Sequence, residues 1–194
     1  MMEAFGLMDK EYASIKGIAM EPYIFLGTHT YTLYRDIQLT RKTSEVLPFG
    51  LPTEYTIAFL LRLLPESPRE AFSIWQITDE DFQPLLSIIL DPLKKSLVYF
   101  HRDHEADIEE VTFDHQEVKK IFYGSFHKVH VSVSHGWVRL YVDCKKIGEK
   151  ILGKSETLST AGFITLGKLT RTRGPRSGSA MVSFLISSLS TAFP

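Results

Sequence analysis

The sequence of 194 residues has one cysteine, Cys144, and no asparagine. A lone cysteine excludes an internal disulfide and any zinc site built on cysteine pairs. The lack of Asn removes the acceptor for N-linked glycosylation. Neither sign of charge prevails: 22 Lys and Arg stand against 23 Asp and Glu, a formal net charge of −1. No global field therefore draws the protein to nucleic acid or to a membrane, and an electrostatic partner must be met by a local patch. No apolar run approaches the roughly 20 residues of a membrane-spanning helix. The opening, MMEAFGLMDK, carries Glu3 and has no basic n-region, so it does not read as a secretory signal. For an extracellular role, either a longer precursor supplies the signal or the chain is a fragment. Internal repeats, low-complexity tracts and Gly-X-Y triplets are also missing, which excludes a triple helix in this chain.

What is present is a foldable core. The chain is 44% hydrophobic and 12% aromatic, and its length suits one domain able to bury most of the surface it exposes when unfolded. Between Met2 and about Ile18, apolar residues at Phe5, Met8, Tyr12 and Ile15 predict a short amphipathic helix stopped by Gly17. From there the pattern is one strand after another. YTIAFLLRLL (55–64) is bounded by Pro52 and PESP. AFSIWQI alternates, with Phe72 and Ile74 on one face and Ser73, Trp75 and Ile77 on the other. PLLSIILD, LVYFH and DIEEVTFD follow, the last with Val111 and Phe113 on its apolar side. HQEVKKIFYG is the one internal segment with a partly helical pattern. Val129, Val131 and Val133 then alternate with His130, Ser132 and Ser134, SHG makes a tight turn, and Val138, Leu140 and Val142 alternate on the way back. A second turn leads into CKKIGEKIL, and GFITLGKL adds a further strand. About ten short strands with almost no helix predict an all-β, antiparallel two-sheet sandwich.

Beyond this class, GSFHKVHVSVSHGWVRLYVDCKKIGEK resembles the central hairpin of laminin-G-like, thrombospondin N-terminal-like domains. FGLPTEYTIAFLLRLLPESPREAFSIWQI is similar to the strands before that hairpin. MEAFGLMDKEY, GIAMEP and GKLTRTRGPRSGSA resemble the flanks seen in fibril-associated collagens, of the type XII, XIV and XX group. The resemblance covers about residues 1–180 and implies a jelly roll; residues 181–194, MVSFLISSLSTAFP, do not match and form a divergent tail. Relatives carry a cysteine where Thr30 stands here, and another in a last strand that the resemblance pairs with the residue at Cys144. The expectation is a truncated or alternatively spliced chain, with Cys144 a free thiol or an intermolecular partner. Such a domain should melt below a version given the family's last strand and cysteine.

The most suggestive patch is the basic run Lys168, Arg171, Arg173 and Arg176. No Asp or Glu follows Glu156, so residues 157–194 carry these four positive charges and no negative ones. Arg forks fit sulfate and carboxylate, and Gly174-Pro175 predicts an accessible loop. The resemblance implies glycosaminoglycan binding; an ordinary solvated loop explains the same residues. Arg41-Lys42 and Lys145-Lys146 extend the patch only if the fold brings them near. His101, Asp103, His104 and Asp107 offer metal-ligand chemistry, yet in a strand His104 points away from His101 and Asp103, and a solvated loop accounts for them better. His127, His130 and His135 lack the elbow, orienting acid and oxyanion donors of a hydrolase, and HRDH is not the HExxH of a metalloprotease. Trp75 reads as core and Trp137 as a cap at the end of the sandwich. The expectation is a non-enzymatic, secreted extracellular-matrix module. It needs no cofactor, and its partners are heparin- or heparan-sulfate-like glycosaminoglycans, collagen fibrils or other matrix proteins, with nucleic acid and membranes excluded. A lectin-like binder of neutral glycans and a splice product without a ligand are the alternatives.

Overall fold

Period-two alternation dominates because every strand must give one face to a shared apolar layer. A computed structural model describes residues 5, 18–25, 28–34, 39–102, 107–153, 158–170 and 182–191. Its strands are β1 (Ile18–Phe25), β2 (Thr28–Leu33), β3 (Thr40–Lys42), β4 (Tyr55–Leu63), β5 (Phe72–Thr78), β6 (Pro84–Asp91) and β7 (Ser96–Arg102). They continue with β8 (Ile108–Phe113), β9 (His127–Ser134), β10 (Trp137–Val142), β11 (Lys145–Ile151), β12 (Phe163–Leu169) and β13 (Val182–Thr191). The helical elements are α1 (Thr43–Val46), α2 (Gln116–Lys120) and a 3-10 turn, Ile121–Tyr123, and Phe5 is also in a 3-10 conformation. The strands form two antiparallel sheets, one in the order β1-β2-β13-β4-β9-β10-β11 and the other β3-β12-β5-β6-β7-β8. The jelly-roll sandwich expected from the sequence is the fold. The predicted N-terminal helix lies outside the described residues, apart from buried Phe5 and from Ile18, which opens β1.

The β9–β10 hairpin follows its sequence closely. Val129, Val131 and Val133 face inward with Val138, Leu140 and Val142, all buried, in the register Val133↔Val138 through Val129↔Val142. Its two-residue turn places His135 and Gly136 at φ 52° and 72°, the left-handed pair that a type I′ hairpin turn requires. The next turn repeats the device with Asp143 and Cys144 at φ 51° and 65°. Opposite them, the second sheet contributes Leu166, Trp75, Ile88, Tyr99 and Val111, which succeed one another across the register of β12, β5, β6, β7 and β8. Each large apolar side chain buried this way contributes about 1.5–3 kcal/mol. Trp75 is in the core, as its sequence setting suggests.

β5 departs from simple alternation. A bulge between Ser73 and Trp75 leaves Ile74 outside the β5–β6 register, and every residue of the strand except Gln76 is buried. The outward side chains Ser73 and Ser87 satisfy each other at 2.7 Å. Gly162 holds the entry to β12 at φ 92°, where a Cβ would lie 2.1 Å from the carbonyl oxygen of Thr78; only glycine fits there.

Residues 182–191, which the sequence reading sets in a tail, are paired into the fold. Val182–Thr191 is a ten-residue strand lodged between β2 and β4, with Phe184↔Leu61, Ile186↔Phe59 and Leu189↔Ile57 in register. The position of a last strand is therefore already filled in this chain. Two strands, β4 and β9, separate β13 from β10 and its turn at Cys144. That is about 14 Å at 4.8 Å per strand, twice the Cα separation a disulfide can span. A cysteine within β13 would not reach Cys144.

One polar contact crosses the core. The hydroxyls of Tyr55 on β4 and Tyr99 on β7 meet at 2.7 Å, fully buried, and burial pushes both phenols well above their ordinary range. Replacing one leaves the other's hydroxyl unsatisfied, at about 1–3 kcal/mol, whereas removing both spares that penalty. Tyr99→Phe and Tyr55→Phe should each lower stability by about that amount, and the double variant by clearly less than the sum. Urea unfolding of the four proteins measures it, and additive losses would refute the coupling.

Candidate functional site

Lys168 departs from the expected loop patch. It lies on β12 opposite Ser73, is 3% exposed, and burial lowers its pKa to about 8. The cause is local: Gly167, at φ 62°, and Ile74 are both skipped in the β12–β5 register, which runs from Leu166↔Trp75 directly to Lys168↔Ser73. At 3% exposure, opposite Ser73, Lys168 is not within reach of a polyanion. Arg171, Arg173 and Arg176 lie outside the described residues, but their anchors do not. Leu169 pairs with Phe72, Thr170 bonds the carbonyl of Ala71 at 2.9 Å, and Val182 pairs with Leu63. The β12–β13 connection therefore leaves and re-enters the sandwich at one end.

Arg41 and Lys42 are exposed on β3, and Lys42 pairs with Phe163 at the start of β12. That is about 20 Å along the strand from Leu169, so this pair does not extend the patch. Lys145 and Lys146 open β11 at the same end as the anchors, since Lys145 pairs with Val142 and Val142 with Val129 near the start of β9. The turn before them is clamped: Asp143 donates its N–H to the carbonyl of Lys128 at 2.8 Å, and its carboxylate accepts from the N–H of Lys128 at 3.0 Å. The other carboxylate oxygen lies 2.8 Å from His127 Nδ1. Cys144 is exposed and free at the tip.

Two further lysine pairs reach this end, and the sequence reading passed over them. Lys94 and Lys95 sit in the β6–β7 turn, where Lys95 donates to the Tyr123 hydroxyl at 3.2 Å and lies 4.6 Å from the centre of its ring. Lys119 and Lys120 close α2, and Glu117 of the same helix accepts from Lys145 at 3.2 Å. The available signal was the Lys-Lys dipeptide itself, in DPLKKS, EVKKIF and DCKKIG.

The remaining candidates are scattered. His101 is buried on β7, beside Leu86 and Glu109 in register. Asp103 and His104 lie outside the described residues, and Asp107 precedes β8. Among the described residues no group of three His, Cys, Asp or Glu is placed to hold a metal ion. His135 faces solvent, 3.2 Å from Glu54. Trp137 is half-buried where β10 leaves the turn. His130 lies half-buried on the outer face, its pKa lowered by desolvation and then by the charge of Lys128.

The arrangement defines a class: an antiparallel jelly-roll sandwich of laminin-G-like architecture whose exposed chemistry lies in its end loops. Its fold is similar to the binding domain of Paraclostridial Mosquitocidal Protein 1, with a TM-score of 0.58 and 12% identity, covering 89% of this chain and 43% of that one. It is also similar to the receptor binding domain of botulinum neurotoxin type G, with a TM-score of 0.57 and 10% identity over 88% of this chain and 40% of that one. At such identities the likeness establishes the fold alone. Sequence narrows the class. The chain is 62% identical over 180 residues to the collagen alpha-1(XX) chain of Homo sapiens and 57% identical to that of Mus musculus, matching 93% of its own length in each case. The collagen alpha-1(XIX) chain of Homo sapiens is 28% identical over 124 residues, 64% of this chain. The chain belongs with the fibril-associated collagens of the type XX group through this domain. It spans 14% of the length of the collagen XX chains it matches. No family model matches it.

Two titrations follow. Folding lowers the pKa of Lys168 from an ordinary value near 10.4 to about 8, so between those values the unfolded chain binds more protons and stability rises with pH. Lys168→Met should lose that rise between pH 8 and 9.5, measured by thermal melts, and should leave binding to polyanions unchanged. An identical slope would refute the assignment. His130 is also lowered by folding, so stability falls as pH drops through about 6.5. His130→Gln should show a shallower fall in Tm between pH 7 and 5 than the parent, and a parallel or steeper fall would count against it.

Proposed function

We propose that the domain is a non-catalytic interaction module of the extracellular matrix, secreted as part of a fibril-associated-collagen-like protein, binding glycosaminoglycans or other matrix proteins through a basic surface. The observation that carries the reading is the 62% identity to human collagen alpha-1(XX) across 93% of the chain. Two features support the polyanion part. The β12–β13 connection holds Arg171, Arg173 and Arg176 with no acidic residue, and its anchors stand at the end of the sandwich where Lys145 and Lys146 open β11. Binding of this kind sums many weak Arg and Lys contacts to sulfate and carboxylate, and salt screens it strongly.

Heparin chromatography tests it. The domain should be retained at physiological salt and elute well above it, and Arg171→Ala/Arg173→Ala/Arg176→Ala should elute earlier. Retention of a neutral saccharide that survives high salt would instead favour a lectin. Elution of the parent at near-physiological salt would remove the glycosaminoglycan reading.

A further inference from the structure

On one side of the sandwich the edges of the two sheets coincide. β11 ends the seven-stranded sheet and β8 ends the six-stranded one. Among the described residues, each therefore presents a row of backbone N–H and C=O groups with no strand beside it. The two edges lie across the core from each other. A carboxylate oxygen of Glu109, early in β8, accepts from the N–H of Gly153 just past β11 at 2.8 Å. Lys150 stands 5.8 Å from the centre of the Phe113 ring, and a Cβ on Gly148 would lie 3.5 Å from the same ring. The end of β11 thus meets the start of β8, and the strands run in opposite directions. At that meeting point Ile108 is 55% and Ile151 72% exposed, two apolar side chains on adjacent edges.

The edges are opposite in charge. Residues 107–114, spanning β8, carry Asp107, Glu109, Glu110 and Asp114 with no Lys or Arg. β11 carries Lys145, Lys146 and Lys150 against Glu149, and Glu149 is already held by Arg139 and Lys146. The ion pairs among the described residues leave Glu109, Glu110 and Lys150 unengaged. Two β8 edges would repel each other, and so would two β11 edges, whereas β8 and β11 of different copies attract.

We propose that a second copy of this chain covers both edges, β11 of each copy pairing antiparallel with β8 of the other. A twofold axis parallel to the strands produces this contact twice, because it exchanges the two layers and preserves strand direction. Each sheet then continues into the partner, and neither edge is left open on that side. With Ile151 opposite the partner's Ile108, antiparallel counting sets Lys150 against the partner's Glu109 and Lys145 against the partner's Asp114. Glu149 faces the partner's Glu110, a like pair whose repulsion Arg139 and Lys146 offset from the other side. The surface is separate from the arginine loop, and the inference does not rest on glycosaminoglycan binding.

Sedimentation velocity of the chain tests it, in a reducing buffer that keeps the free Cys144 from linking copies. The parent should show a reversible monomer–dimer equilibrium. Lys150→Glu and Glu109→Lys each set like charges across both contacts and should each weaken dimerisation about tenfold or more. Mixed in equal amounts, the two variants should form a heterodimer of near-parental affinity, since every reversed charge then meets its opposite. That arm separates an interface from a folding defect at Glu109, because a misfolded variant would not be rescued by its counterpart. Ile108→Ser/Ile151→Ser changes only exposed side chains and should weaken the dimer while leaving far-ultraviolet circular dichroism unchanged. A parent that stays monomeric at its highest soluble concentration would overturn the proposal. So would single variants that dimerise as the parent does, or a mixture that stays monomeric.

Discussion

The structure depends on a single apolar layer in which the inner faces of β4, β9 and β10 meet those of β5, β6, β7 and β12. Neither sheet can stand alone, since each presents a continuous wall of Val, Leu, Ile and aromatic side chains that only the other removes from water. The layer fixes register as well as stability, because a slip of one residue would turn a strand's apolar set outward. Once register is fixed, so are the strand ends, and with them the turns that carry the exposed charges.

That dependence explains what could be read from the residues. β9 and β10 were legible because Val129 to Val142 alternate without interruption and a turn pair, His135 and Gly136, adopts the needed left-handed conformation. α2 was legible through its own apolar spacing. β5 was only half legible: its bulge at Ile74 shifts the faces, and no local pattern in the sequence announces it. Lys168 was misplaced for the same reason. Its Gly167 neighbour reads as a loop signal in sequence but lies inside β12 at φ 62°, and the lysine that follows is buried.

β13 shows the opposite limit. The gap between β2 and β4 demands only that apolar residues fall opposite Leu61, Phe59 and Ile57, and Phe184, Ile186 and Leu189 do so. A register shift between Ile186 and Ser188 keeps the later residues in phase. Central strands are selected by pattern and β-propensity more than by identity. A segment read from sequence as a tail can therefore still complete a sheet.

Net charge was the least informative quantity in the sequence, and the fold explains why. A value of −1 averages over a long axis along which the turns sort themselves. The end carrying Glu54, Asp79, Glu80, Asp81 and Asp107 lies opposite the end carrying the three lysine pairs, because the antiparallel strands deliver alternate turns to alternate ends. At physiological ionic strength screening acts over about 8 Å, shorter than a strand of seven or eight residues. A polyanion approaching the lysine end is thus largely shielded from the carboxylates at the far one. Alternate placement of turns, not the total charge, decides what this surface can attract.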